Sequence, residues 1–202
     1  MSKLYYRHGC MNSSKTANLL MVAHNYESQG KKVLIFKPSK DTRSKPNIIE
    51  SRTGMSHDCI DILDTDDLYT YILNYIFEFK EIIKAILVDE AQFLTKKQVL
   101  ELVDITKELD IPVLCYGLKN SSIKGELFDG SNALLYWAET IEEIKTICSY
   151  CDKKATMNLR IGNEKPIYTG DIIKCGDTTD SEEYYIPLCT KHYLNPILKE
   201  RI

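Results

Sequence analysis

The apolar positions of this chain alternate between two periods. The segment Lys3-Leu4-Tyr5-Tyr6-Arg7 reads as a short strand, and over residues 16–29 Leu19, Leu20, Val22, Ala23 and Tyr26 recur at three-to-four spacing. That spacing predicts a helix, with Gly30 as its stop signal. Lys32-Val33-Leu34-Ile35-Phe36 is a continuous apolar run ending at Pro38, the pattern of a strand buried on both faces of a parallel sheet. One βαβ unit therefore occupies the first 38 residues. Residues 39–58 carry Pro46, Gly54 and many polar side chains without periodicity, and read as a long, mobile loop. A helix is expected over 68–83 and a second buried strand over 85–88, ending in Asp89-Glu90. Then come a helix over 95–109, with Val99, Leu102, Val103 and Leu109 inward, and a strand over 113–116. Strands alternating with helices in this order mean an α/β domain with a parallel sheet. After Glu143 the pattern changes to two cysteine-bearing segments around β-like stretches at 156–161 and 167–173. The boundary is placed near residue 145, between a domain of residues 1–144 and one of residues 145–202.

Composition narrows the classes. The chain has 202 residues, 44% hydrophobic and 27% charged, with a net charge of −3, which fits a soluble globular protein and excludes a large multidomain machine. Its mild acidity argues against a general nucleic-acid or anionic-membrane binder, since those carry a basic stripe. No stretch approaches 18 uncharged apolar residues, and the first nine residues hold Lys3, Arg7 and His8 with no apolar signal core behind them. A cytoplasmic protein with neither nucleic acid nor membrane as partner is expected. Seven cysteines spread over the whole length do not form a secreted disulfide framework, so their spacing is read for metal or chemistry.

Four groups of residues could carry chemistry. Gly9 to Thr16 (Gly9-Cys10-Met11-Asn12-Ser13-Ser14-Lys15-Thr16) follows a strand and opens a helix, as a phosphate loop does, with Ser14 where the consensus has glycine. In a working loop the backbone N–H groups wrap phosphates, Lys15 reaches the outer ones and the Thr16 hydroxyl ligates Mg²⁺. A plain helix start with an exposed lysine is the other reading. Ser14 is a candidate for a strained backbone angle. Asp89-Glu90 ends a buried strand, where ligands sit in open α/β sheets. Asp89 suits holding Mg²⁺ and Glu90 suits acting on a nucleophile, unless the pair only caps the next helix. Cys148-x-x-Cys151 and Cys189-x-x-His192 offer three thiolates and an imidazole, the ligand set of a closed structural zinc site. A redox Cys-x-x-Cys is the alternative, although that motif normally opens a helix. Cys10, Cys59, Cys115 and Cys175 read as packed or incidental thiols. Finally, the segment 168–185, rich in Gly, Asp, Thr and Glu, is either a tethered lid or a plain connection. Met11, Phe93 and Phe128 could line a flat apolar pocket or belong to the core.

These residues, in this order, resemble the thymidine kinases of the cytosolic, zinc-containing (type II) class over nearly the whole chain. The matching motifs are Gly9-x-Met11-x-Ser13-x-Lys15-Thr16, Asp41-Thr42-Arg43 after the second strand, Asp89-Glu90-Ala91-Gln92-Phe93, and Gly117-Leu118. They continue with Lys124-Gly125-Glu126-x-Phe128, Cys148-x-x-Cys151, Arg160, and Tyr185-x-x-x-Cys189-x-x-His192. The chain departs from the family at Ser14, at Cys175 in place of the first glycine of a Gly-Gly pair, and by one extra residue after Leu118.

The resemblance implies an α/β phosphate-loop domain followed by a small, mostly β, zinc-binding domain that carries a lasso-like lid loop. It implies transfer of the ATP γ-phosphoryl group to the 5′-hydroxyl of thymidine, with deoxyuridine a weaker substrate. Glu90 would be the general base, with Arg43 and Arg160 neutralising charge on the transferring group. Residues 9–16, Asp89 and Gln92 would hold ATP and its Mg²⁺. Met11, Phe93, Phe128, Asn158, Ile172, Ile173, Gly176 and Tyr185 would bind thymidine, and Cys148, Cys151, Cys189 and His192 would bind structural Zn²⁺. A homotetramer inhibited by the end product dTTP is also implied. Two other classes fit parts of the pattern: a zinc-ribbon interaction module without chemistry, and a phosphate-loop ATPase that uses hydrolysis for motion.

Overall fold

The continuous apolar runs become the centre of a six-stranded, all-parallel sheet. In the computed structural model, which describes residues 1–41, 45–172 and 183–197, its strands are β1 (Leu4–His8), β2 (Lys32–Pro38), β5 (Ile60–Ile62), β6 (Ile83–Val88), β7 (Val113–Gly117) and β8 (Thr140–Glu143). Their order across the sheet is β5-β2-β6-β7-β1-β8. Alternate residues of the runs feed two cores, as a strand covered on both faces requires. Leu34, Phe36, Ile86, Val88, Val113 and Cys115 pack on one face with helices α2 (Leu68–Phe79), α3 (Lys96–Glu108) and α4 (Asp129–Trp137). Val33, Ile35, Ala85, Leu87, Leu114 and Tyr116 pack on the other with Leu19, Leu20 and Ala23 of α1 (Lys15–Glu27). Each Val, Leu, Ile or Phe among them contributes roughly 1.5–3 kcal/mol by leaving water.

Three expectations are corrected. Within 39–58, read as an unstructured loop, β3 (Ile48–Glu50) and β4 (Ser56–Asp58) form an antiparallel hairpin. Lys37, almost fully buried at the end of β2, fastens its base by donating to the carbonyls of Lys45 and Ile48 at 3.3 and 3.1 Å. The second helix stops at Phe79, not residue 83, because Lys80 takes a left-handed backbone (φ 52°) and Ile83 already pairs with Lys32. The β-like stretch 167–173 ends where it was expected to begin: β10 is Lys165–Ile167. It pairs with β9 (Met157–Gly162) across a turn in which Asn163 and Glu164 both have positive φ, the geometry of a tight two-residue hairpin.

From residue 145 onward the chain forms a separate antiparallel sheet, β10-β9-β11, with β11 at Glu183–Leu188, and a short helix α5 (Thr190–Leu194). This sheet packs around its own apolar cluster of Leu159, Ile161, Leu188 and Tyr193. Among the described residues no helix is long and apolar enough to cross a membrane.

Candidate active site and metal centre

Strands β1 and β6 lie on either side of β7, so the loops at their carboxyl ends open on the same edge of the sheet. Between them is a cavity of about 550 Å³, within the size range of small-ligand sites. Its wall consists of residues 11–17 of the phosphate loop, Asp41, Asp89-Glu90, Leu118 and residues 49–54 of the hairpin.

The loop begins at Gly9, where a Cβ would come within 2.5 Å of the Ile144 carbonyl oxygen and run into Ser13 Oγ, so only glycine fits the turn out of β1. Lys15 is buried, its Nζ donating to the carbonyls of Cys10 (2.8 Å) and Gly9 (3.3 Å), directly under the loop it would serve. Cys10 contributes its backbone; burial pushes its thiol up to about 11, so it stays protonated. Ser14, which precedes α1, sits at φ 59°, ψ 32°, in the left-handed region that glycine adopts freely. A side chain there costs about 1–2 kcal/mol, partly offset because glycine loses more entropy on folding. Ser14→Gly is therefore expected to stabilise the protein by about 0.5–1 kcal/mol. The check is the urea midpoint at unchanged m-value; a lower midpoint would show that the Ser14 side chain supports the loop.

Thr16 Oγ1 donates to Asp89 Oδ2 at 2.9 Å. A hydroxyl and a carboxylate side by side, next to an anion-binding loop, are the hard oxygen donors that suit Mg²⁺, so the donor set fits. Glu90, buried and itself in a left-handed conformation (φ 47°), begins the turn Ala91–Phe93. Phe93 and Phe128 meet edge to face, with ring centroids 5.6 Å apart. Met11 lies in the cavity wall, and its N–H donates to Asn158 Oδ1 at 2.8 Å. Asn158, expected on the substrate, thus ties the phosphate loop to β9.

Other expected site residues fall outside the cavity wall. Arg160 is buried in β9, where Nε and Nη2 grip Glu183 Oε2 at 2.9 and 2.6 Å and Nη1 donates to the Asp171 carbonyl. Gln92 is buried behind Glu90, and Tyr185 is buried in β11. Ile172 is half-buried at the start of the tethered segment. Arg43, Ile173, Cys175 and Gly176 lie outside the described residues. The sequence reading missed the hairpin tip, whose Arg52 guanidinium donates to Asn12 Oδ1 of the phosphate loop. Only the fold could reveal it, since nothing in 39–58 is periodic.

The second cluster lies in the small sheet. Cys148, Cys151, Cys189 and His192 bring one ligand atom each to within 4.8 Å of one another. His192 Nδ1 is 3.4 Å from Cys148 Sγ and 3.5 Å from Cys189 Sγ, and the Cys151 and Cys189 sulfurs are 3.9 Å apart. Zinc bonds of about 2.3 Å to sulfur and 2.0–2.1 Å to nitrogen at tetrahedral angles require edges of about 3.8 Å between sulfurs and 3.5 Å between sulfur and nitrogen. These three spacings match such edges. Burial works to raise the Cys148 thiol, but N–H groups of Cys189 and Tyr150 and the His192 ring outweigh it and hold its pKa down at about 6. A thiolate at neutral pH is the form a metal binds. Cys148 and Cys151 precede β9 and Cys189 follows β11, so a metal here would tie the chain entering β9 to the end of β11, where Met157 pairs with Leu188.

A family model described as thymidine kinase matches residues 2–193. Similar curated proteins include the thymidine kinases of Streptococcus agalactiae serotype Ia and Streptococcus pyogenes serotype M3. Each is 48% identical over 196 residues, covering 97% of this chain and 99% of the relative.

Proposed function

The chain belongs to the thymidine kinase family, and on that premise we propose that it transfers the γ-phosphoryl group of ATP to the 5′-hydroxyl of thymidine, giving dTMP for nucleoside salvage. The observation that carries this reading is the convergence of the phosphate loop, the Thr16–Asp89 pair and Glu90 on one cavity at the carboxyl edge of a parallel sheet. Phosphoryl transfer asks the protein chiefly for positioning and charge stabilisation, and these parts supply both. Backbone N–H groups of the loop and the N-terminus of α1 receive the phosphates, and Lys15 exchanges its carbonyl partners for phosphate oxygens. Thr16 and Asp89 would hold Mg²⁺, which neutralises phosphate charge when bound. Glu90 takes the proton of the 5′-hydroxyl as that oxygen attacks. Arg43 is proposed as a further charge-neutralising group, whereas Arg160, gripped by Glu183, serves to hold the base of the 168–183 segment.

Met11, Phe93 and Phe128 are proposed to frame the base, with Asn158, Ile172 and Tyr185 supporting them and Ile173 and Gly176 completing the site. Residues 1–144 would form the nucleotide domain and residues 145–202 the zinc and lasso-loop domain. Buried thiols and a thiolate metal site suit the reducing cytoplasm. A homotetramer is supported by α2, which leaves Leu73, Phe77 and Phe79 exposed, Phe77 at 86%. Inhibition by dTTP follows if one molecule can lay its base in the nucleoside pocket and its phosphates on the loop. The reading is tested by kcat/KM for thymidine against deoxyuridine. Loss of the 5-methyl group from an apolar pocket is expected to cost roughly 10–200-fold. Deoxyuridine used as well as thymidine would remove Phe93 and Phe128 from the role of reading that methyl.

A further inference from the structure

Gln92 lies two residues beyond Glu90 and is 1% exposed, behind the cavity wall that Glu90 and Leu118 help to form. Its amide works in two directions. Nε2 donates to Glu90 Oε2 at 2.5 Å, and Oε1 accepts the Leu118 N–H at 2.9 Å. The Leu118 carbonyl is held in turn by two fully buried hydroxyls, Tyr6 Oη from β1 and Ser131 Oγ from α4, each donating at 2.6 Å. Gly117 makes the approach possible: a Cβ there would lie 2.6 Å from Gln92 Oε1 and 3.0 Å from the Gln92 nitrogen.

We propose that Gln92 is the positioning residue of the active site, locking the Glu90 carboxylate to the Leu118 peptide and, through its carbonyl, to β1 and α4. This rests on the reading of Glu90 as the base. A left-handed glutamate persists only where its surroundings over-determine it, and this relay is such a surrounding. Fixing one carboxylate oxygen fixes the plane and direction of the whole group. The amide serves both ends, whereas an ionised carboxylate at position 92 has no donor for Glu90 and an ammonium has no acceptor for the Leu118 N–H. Because Gln92 lies behind the wall with its amide engaged, its effect on the reaction passes through Glu90, without contact to the nucleotide.

The test is a double-mutant cycle on the full-length chain, with kcat and KM for thymidine and ATP and the thymidine Kd. Gln92→Leu keeps the volume and removes both hydrogen bonds. It is expected to lower kcat about 10–100-fold, since small misplacements of a reacting group cost on that order, while the thymidine Kd and the KM for ATP stay within about threefold. The Glu90→Ala/Gln92→Leu double variant is expected to be no slower than Glu90→Ala alone, within about twofold. Losses that multiply would overturn the proposal, as would a raised KM for ATP at unchanged kcat, which would assign Gln92 to the nucleotide. If Gln92→Leu fails to fold, Tyr6→Phe combined with Ser131→Ala frees the Leu118 carbonyl and decides the matter. A lower kcat that disappears in the Glu90→Ala background supports the relay, and an unchanged kcat overturns it. Glu90→Ala retaining wild-type turnover refutes the base itself, a separate result.

Discussion

Glu90→Gln is expected to give a folded protein that binds thymidine and ATP and turns over roughly 10²–10⁴-fold more slowly, the usual cost of removing a general base. The substitution keeps the shape of the side chain, and its amide oxygen can still accept from Gln92 Nε2, so the turn Ala91–Phe93 is retained. The amide cannot take a proton from the 5′-hydroxyl at neutral pH. Thymidine-dependent turnover and thymidine binding are measured separately. The expected result is a lost kcat with Kd within about threefold. Turnover within threefold of the unaltered chain would mean that another group accepts the proton, and the chemistry would have to be reassigned.

Loss of the metal is expected to have the second large effect. Four protein ligands close the tetrahedron and leave no position for water or substrate, so a zinc ion here shapes the small sheet and does no chemistry. One zinc per chain is expected in protein purified without oxidation. Cys151→Ser removes a thiolate from the side that faces Cys189. Losing a structural metal ranks among the few single changes that cost about 4–5 kcal/mol, which lowers Tm by roughly 8–20 °C in a chain of this size. Nucleoside binding should weaken with it. A metal there would tie the start of β9 to the end of β11, and the segment between β10 and β11 is the proposed lid over the base. A Tm loss with an unaltered thymidine Kd would separate the metal from the site, and no zinc by elemental analysis would remove it.

What was legible in the sequence follows physical lines. Strands β2, β6 and β7 stood out because burial on both faces leaves an unbroken apolar run, and their ends located Asp89-Glu90. The metal ligands stood out because their chemistry needs fixed spacing within each pair, while the described residues of the long stretch between the pairs supply the three strands of the small sheet. Strand β8, Thr-Ile-Glu-Glu, was silent because an edge strand buries little. Helix α4 opens with Asp129, Gly130, Ser131 and Asn132, which read as loop until the packing of Ala133 and Leu134 decides otherwise. Lys37 and Arg52 were missed for a related reason: the hairpin that gives each its role comes from a segment without period. Gln92 could be matched to a motif, but its amide's two partners, one of them Leu118, 26 residues away, appear only in the fold.

The most direct test of the account follows the label from [γ-³²P]ATP in the presence and absence of thymidine. The account predicts label in a nucleoside monophosphate, on its 5′-oxygen, in amount equal to the ADP formed and only when thymidine is present. ADP formed at the same rate without thymidine, with the label released as inorganic phosphate, would contradict it and describe an ATPase instead.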